Sequence, residues 1–396
     1  MLLTRNQTYP IGLDISNLSI KLAQLNRGKD KIKIQALSKS SLPKGIIENG
    51  EIKNQAELIK AIKKSIDVPL YGKTSSEEVV ACLPESKTFI KLIGVLKSPN
   101  SLADIMAGEI EKHVPLTANE LFYDWQVIEE LPDKYLILIG AAPKNIVSQY
   151  ASMLDAANLT LIALEIEPVA IARCLLKEEA PKSKSLIFGA KSNTEPGLNY
   201  GILDIGADHT CLTVYSKNTI LFTVSLPISG EEITSKIKQA LNLTKDQAEK
   251  AKIICGLDET KANGVIKEIL GDTIKKMTSK IKDAFRYYQN YFGQRGPINQ
   301  ILLCGGGANI INLARNISEE LSVEVKLANA LTHINETKDK FANYFMEKHT
   351  LNMNLMVKFD KKSEDNISLK QNSASTYSTA IGLALRRIFI DKIYFI

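Results

Sequence analysis

Ile11-Gly12-Leu13-Asp14-Ile15-Ser16 decides the reading of this chain, because Gly201-Ile202-Leu203-Asp204-Ile205-Gly206 repeats it far downstream. Each stretch is an apolar strand that ends in an aspartate, followed by a small residue and then polar ones. The first continues through Asn17, Leu18 and Ser19 to Lys21, the second through Ala207, Asp208 and His209 to Thr210. A repeat at this separation predicts two related halves, each offering one phosphate-facing hairpin to a shared cleft. Tight turns after strands suit that task because their successive N–H groups converge on an anion. Asp14 and Asp204 suit a magnesium ion, which keeps most of its waters and is often held through them. Ser16, Asn17, Ser19 and Thr210 are the expected hydroxyl or amide contacts. A single aspartate of this kind would merely start a turn; its recurrence in both halves favours the functional reading.

At 396 residues the chain is too long for one compact core and suits two lobes. With 44% hydrophobic and 24% charged residues it is too apolar for general disorder. The net charge of +6, from 50 Lys and Arg against 44 Asp and Glu, is spread without a long basic block. That disfavours nucleic acid as a partner and allows at most a weak attraction to an anionic membrane surface. The five cysteines are an odd number without a CxxC pair, which points to a reducing compartment and buried thiols. His113, His209, His333 and His349 are not paired at metal spacing, so structural zinc is not expected. No signal peptide and no apolar run of about 20 residues is present, and a cytosolic protein is expected.

Residues 11–25 and 31–37 read as meander strands that turn at Asn26-Arg27-Gly28. Ala56, Ile59, Ile62 and Ile66 are at helical spacing, and 78–83 is a buried-strand pattern. A β-α-β-β-α-β run follows: strand 88–95, helix 103–113, strands 122–129 and 135–142, helix 145–157, strand 159–166. It predicts a small α+β unit inserted into the first lobe. The expected boundaries are 1–85 and 162–182 for the first lobe, 86–161 for the insertion and 183–199 for a linker. The second lobe is expected over 200–230 and 297–396, with a helical subdomain at 231–296. There Asp272 or Thr273 is the expected cap of a long helix whose buried stripe is Ile274, Met277, Ile281, Phe285, Tyr288 and Phe292. The polar segment 341–375 reads as a surface loop, and 377–385 as a terminal helix. Residues 386–396 are a basic-apolar tail, either a short membrane anchor or, favoured by its lack of a clean polar face, a segment packed on its lobe.

Three further places could carry chemistry. Cys304-Gly305-Gly306-Gly307-Ala308-Asn309 joins a strand to a helix near Ile310, and its glycines permit close approach of backbone to a flat or charged ligand. Such turns also serve packing alone. Glu167 leads Glu167-Pro168-Val169-Ala170-Ile171-Ala172, a helix start with proline in its first turn. A carboxylate there could act as general base toward a water, or simply favour the helix N-terminus. Glu249 and Lys252, three apart on one helix face, are either a surface pair or contacts to a ribose and base.

Taken in order, these pieces resemble the signature of the actin-like ATPase superfamily. They match its first phosphate loop (14–21), first connecting helix (167–172), second phosphate loop (204–210) and adenosine loop (302–308). Thr379-Ala380-Ile381-Gly382-Leu383-Ala384 matches the second connecting helix. Within the superfamily the chain resembles the PilM family of type IV pilus assembly proteins, on the branch shared with the cell-division protein FtsA. The sharper marks are Glu111-Lys112-His113-Val114-Pro115, Tyr123-Asp124-Trp125-Gln126-Val127-Ile128, Ala141-Ala142-Pro143-Lys144, Ile228-Ser229-Gly230-Glu231-Glu232-Ile233-Thr234 and the run from Ala248 to Lys252.

The resemblance implies an α/β, two-lobed actin-like (ribonuclease H-like) ATPase fold with a small α+β subdomain inserted in the first lobe. It implies ATP with Mg2+ in the interlobe cleft. The nucleotide-binding residues it implies are Asp14, Ser16, Asn17, Ser19, Lys21, Asp204, Gly206, Thr210, Gly230, Glu249, Lys252, Gly305, Gly306 and Gly307. Asp14 and Asp204 would lie on the metal side, and Glu167 would be the catalytic base of a slow ATPase. The implied partner is the N-terminal cytoplasmic tail of the membrane protein PilN, held in a groove between the first lobe and its insertion. The implied setting is a homo-oligomeric ring with other pilus components under the inner membrane, or the related type II secretion platform. Two positions depart from the pattern: Ser16 stands where glycine is usual, and Cys304 where a smaller residue is common. A small-molecule kinase of the same superfamily and an FtsA-like division protein tethered to membranes are the alternatives.

Overall fold

Residues 8–28, 31–177, 198–335 and 374–389 are described by the computed structural model; the expected linker over 183–197, the polar segment over 341–373 and the tail over 390–396 lie outside them. The chain divides into two compact units, one of residues 1–175 with 329–396 and one of residues 176–328.

Unit 1 begins with the meander β1 (Ile11–Ile15), β2 (Ser19–Arg27) and β3 (Ile32–Ser41). The short strands β4 (Ile47–Glu48) and β5 (Glu51–Ile52) form a hairpin of their own. Helix α1 (Gln55–Asp67) starts where the Asn54 side chain accepts the Glu57 N–H, an ordinary N-cap. Strands β6 (Tyr71–Gly72) and β7 (Glu78–Leu83) follow. Next come β8 (Phe89–Leu96), α2 (Leu102–Glu111), β9 (Leu121–Glu130) and β10 (Lys134–Pro143). Helix α3 (Lys144–Ala156), β11 (Thr160–Ile166) and α4 (Glu167–Leu175) complete this part. The main sheet has the order β11-β7-β1-β2-β3-β6. Strand β1 is its buried centre, paired antiparallel to β2 with Asp14 opposite Lys21, and parallel to β7.

The insertion is smaller than 86–161. Strands β8, β10 and β9 pair antiparallel, and with α2 they close a separate core of Ile93, Met106, Ile110, Ile137 and Ile139. Helix α3 instead sends Ile146, Tyr150, Met153 and Leu154 into the core of the main sheet, beside Leu58 and Ile62 of α1. Strand β11 pairs parallel with β7 of that sheet. Local periodicity shows that a strand exists, whereas the sheet it joins is settled by which apolar faces meet.

Unit 2 holds β12 (Tyr200–Ile205), β13 (Thr210–Ser216) and β14 (Thr219–Leu226), then α5 (Gly230–Leu241) and α6 (Lys245–Cys255). Helix α7 (Val265–Phe292), β15 (Gln300–Cys304), α8 (Leu313–Leu321) and β16 (Glu324–Leu327) follow. Its strands run β16-β15-β12-β13-β14, with β12 parallel to β15 and antiparallel to β13. Helix α7 begins at Val265, so Asp272 and Thr273 lie inside it and cap nothing. Ile266 and Leu270 extend the buried stripe toward the N-terminus, and their burial outweighs the helix penalty of Gly271. Ile274, Met277, Ile281 and Tyr288 are buried as expected, while Phe285 and Phe292 are half-buried.

The terminal helix α9 (Ser378–Phe389) belongs to unit 1 and not, as the boundary 297–396 supposed, to the second lobe. Small residues put it there. A Cβ at Gly12 of β1 would lie 2.0 Å from the Ala380 carbonyl oxygen, and one at Gly382 would lie 1.9 Å from that of Ala170 on α4. Helix α9 therefore meets β1 and α4 backbone to backbone, with Ala380, Ile381, Leu383, Ala384 and Leu385 fully buried. An ionic clamp locks the arrangement. Glu165, 2% exposed, accepts two bonds from Arg173 at 2.7 and 2.9 Å and a third from Arg386; Arg173 also donates to the Gly382 carbonyl. Residues 386–389 thus form the last turn of α9, with Arg386 turned inward.

Three substitutions test the packing within each unit. Gly382→Val should lower the unfolding free energy by roughly 3 kcal/mol, since nothing beside it can yield. Gly271→Ala has open space around it and should stabilise by up to about 1 kcal/mol. Removing one arm of the clamp with Arg173→Met should cost roughly 3 kcal/mol, because it leaves a buried carboxylate undercompensated. Urea unfolding midpoints with unchanged slopes check all three.

Candidate functional site

In unit 1 the β1–β2 turn is closed by the Ser16 N–H donating to the Ser19 carbonyl at 2.9 Å. The Ser16 hydroxyl donates to the same carbonyl at 3.0 Å and sits 3.1 Å from the Ser19 hydroxyl. Ser16 has no positive φ, so the turn does not need the glycine usual at this position. The Ser16 hydroxyl thus reinforces the turn, and both serines are half-buried. The Asn17 side-chain oxygen accepts the Gly50 N–H at 3.1 Å. Lys21 pairs across the hairpin with Asp14, 2.7 Å from Oδ2, and Asp14 is only 2% exposed. Its Oδ1 lies 3.8 Å from the Cys82 thiol on β7. Burial, reinforced by the carboxylates of Asp14 and then Glu167, pushes that thiol well above its usual range. Glu167 heads α4 and accepts the Thr379 hydroxyl of α9 on Oε1 at 3.0 Å. Asp14, Lys21 and Glu167 are thus brought to one end of the unit 1 sheet.

In unit 2 the Gly206 N–H donates to the His209 carbonyl at 2.9 Å. A Cβ at Gly206 would come within 2.8 Å of that oxygen, so a side chain here would force the turn to shift. The first amides of α5 bind the hairpin: Gly230 N–H to Gly206 O at 3.0 Å and Glu231 N–H to Ala207 O at 2.8 Å. Lys252, 7% exposed, donates to Gly230 O, Thr234 Oγ1 and Glu249 Oε2 at 3.2, 2.9 and 2.7 Å. Thr234 donates to the same Glu249 oxygen at 2.5 Å. A hydrogen-bonded chain therefore runs from Gly206 through Gly230 and Lys252 to Glu249. Lys252 is a brace between α5 and α6, and the Glu249 side chain stays 41% exposed.

Thr210 is fully buried opposite Ile205, and its hydroxyl has no hydrogen-bond partner among the described residues. The three loop glycines divide by role. Gly305, at φ +78, would place a Cβ 2.3 Å from Asp204 Oδ1, and Gly307 would place one 2.2 Å from Ile205 Cγ2. Both let the loop lie tight on β12, while the Cβ direction of Gly306 meets open space. Thr234, Thr379 and Cys82 carry no role in the sequence reading. Thr234 and Thr379 stand inside its quoted motifs, but nothing local says which carboxylate they reach.

These residues fit a nucleotide with its magnesium. Asp204 is half-buried beside the glycine loop, the Cβ direction of Gly306 meets open space, and Glu249 offers an acceptor. Among the described residues no group of three or more His, Cys, Asp or Glu is arranged to hold a metal. Single carboxylates would therefore hold magnesium through its waters and phosphate oxygens. Among the same residues no helix is long and apolar enough to cross a membrane.

Known proteins bear on this arrangement. The cell division protein FtsA of Buchnera aphidicola subsp. Acyrthosiphon pisum (strain APS) is 20% identical over 372 residues, 83% of this chain and 86% of that protein. Of solved structures, a PilM-PilN type IV pilus biogenesis complex is similar with a TM-score of 0.72 and 21% identity, over 96% of this chain and 98% of that one. The ethanolamine utilization protein EutJ from Carboxydothermus hydrogenoformans is similar with a TM-score of 0.50 and 14% identity, over 96% and 90%. These likenesses give the fold as α/β and actin-like, with the small α+β unit inserted in its first part. The sequence profile described as Type IV pilus assembly protein PilM matches residues 12–353. The chain belongs to the PilM family of type IV pilus assembly proteins.

Proposed function

We propose that the chain is an ATP-binding, actin-like component of the type IV pilus assembly platform that binds the cytoplasmic N-terminal tail of PilN in a nucleotide-sensitive way. It would stand on the cytoplasmic side of the inner membrane, held there by partners and arranged in a ring with other pilus components. Family membership supports the pilus role. The observation that carries the nucleotide reading is the bonded chain from the Gly206 turn to Glu249, which fixes a phosphate turn, a helix N-terminus and an exposed acceptor in one frame.

In this reading the Gly206 turn and the Gly305–Gly307 loop present backbone to phosphates and adenosine. Asp204 in its unit, and Asp14 in its own, would each orient a hydrated metal, and Glu249 Oε1 accepts from the ribose. Lys252 holds Glu249 and the start of α5 in place without touching the ligand. Lys21 is poised either on Asp14 or on a phosphate. Bound Mg-ATP would supply a phosphoanhydride whose cleavage changes the charge at the turn that holds it. Glu167, held by Thr379, is placed to take a proton from a water. The PilN tail would lie between the main sheet of unit 1 and the β8-β10-β9 insertion, bound as a short extended peptide.

The reading is tested with a synthetic PilN N-terminal peptide in anisotropy titrations with and without Mg-ATP. Asp204→Ala should abolish ATP binding and weaken the peptide at least about tenfold, a loss of roughly 1.4 kcal/mol. Loss of ATP binding with unchanged peptide affinity would break the coupling. Glu167→Gln should lower ATP turnover by about 100-fold, the scale of a lost general base, while leaving ATP affinity in place. Unchanged turnover would remove Glu167 from the chemistry.

A further inference from the structure

The repeat that opens the chain extends to a pair of thiols. In unit 1 the strand parallel to β1 is β7, and its Cys82 has Sγ 3.8 Å from Asp14 Oδ1. In unit 2 the strand parallel to β12 is β15, where Cys304 lies directly opposite Asp204 with Sγ 3.6 Å from Oδ1. The same side chain thus meets the same aspartate at the same place in each half. Both thiols are free and buried, Cys82 at 2% and Cys304 at 0% exposure, so neither is placed to react with a solute.

What each thiol can do is donate. A thiol is a weak donor and its hydrogen bond is long, but a bond that ends on a charged acceptor is about twice as strong as a neutral one. The last torsion of an aspartate is broad and two-fold. One fixed donor on Oδ1 is therefore enough to decide where Oδ2 points. The surroundings agree in both halves. Asp14 Oδ2 is the oxygen that meets Lys21, and Asp204 Oδ1 is fenced by the backbone of Gly305.

We propose that Cys82 and Cys304 are equivalent positioning residues, each turning Oδ1 of its hairpin aspartate into the sheet and so aiming Oδ2 at the ligand side of the turn. The link to ligand binding rests on the nucleotide reading above. The alternative is that both cysteines only fill space in two similar cores, and the two differ in what the thiol proton does.

The S–H stretching bands of the ligand-free protein report this directly. Cys82→Ala and Cys304→Ala assign the two bands by difference. Asp14→Asn is expected to shift the Cys82 band alone, and Asp204→Asn the Cys304 band alone. In titrations with a fluorescent ATP analogue and Mg2+, each Cys→Ala variant is expected to bind roughly fivefold more weakly, as for one lost hydrogen bond of ordinary net strength. The matching Cys→Ser variant keeps a donor and should return to within about twofold of wild type by the same reasoning. Bands that ignore the Asp→Asn changes overturn the proposal, and so do Cys→Ala variants that bind as tightly as wild type. A wild-type chain that shows the band shifts but takes up no Mg-ATP overturns the nucleotide reading and leaves the thiol–carboxylate pairs standing.

Discussion

A carboxylate at the end of a buried strand has to be compensated inside the fold, and both units of this chain are arranged around that need. All five residues of β1 are buried, Asp14 among them. An unpaired charge in such a place costs several kcal/mol. Lys21 answers it across the hairpin, and the register that puts Asp14 opposite Lys21 is therefore under strong constraint. A slip of one residue would send the two to opposite faces of the sheet. In unit 2 the half-buried Asp204 is met by Cys304 and by the close approach of Gly305. Strand pairing thus fixes where the charges stand before any ligand is considered.

The rest of each unit holds these ends still. Glu167 is placed by α4, and α4 is placed by α9 through the contact of Gly382 with Ala170 and the clamp on Glu165. Thr379 then reaches Glu167 from the same helix that carries Gly382. In unit 2 the start of α5 is bonded to the hairpin, and Lys252 of α6 braces that start from below. Close backbone contact and buried polar bonds have few alternative arrangements. They suit a protein whose turns must keep their shape while a ligand comes and goes.

Much of this was legible in the chain itself. The paired aspartate strands, the placement of Glu167 at a helix start and the glycine loop after β15 all follow from local pattern, and the structure has them there. What escaped depends on tertiary partners. Helix α3 and strand β11 look like part of the insertion until Tyr150 and Leu154 are seen in the main core. Residues 378–389 follow unit 2 in sequence, yet pack on unit 1 because Gly12 and Gly382 admit them. Ser16 and Thr210 are polar residues at the two hairpin turns, yet one hydroxyl bonds within its own turn and the other is buried. Composition and spacing carry no signal for where a hydroxyl points.

The central claim is that each aspartate hairpin is a nucleotide-binding turn. Hydrogen exchange of the full-length chain, followed by mass spectrometry with and without Mg-ATP, measures it most directly. The account expects slower exchange on adding Mg-ATP in peptides that cover residues 14–21, 204–210, 230–252 and 304–309. Exchange that is unchanged at both hairpins, or slowed only at sites outside these four segments, would contradict it.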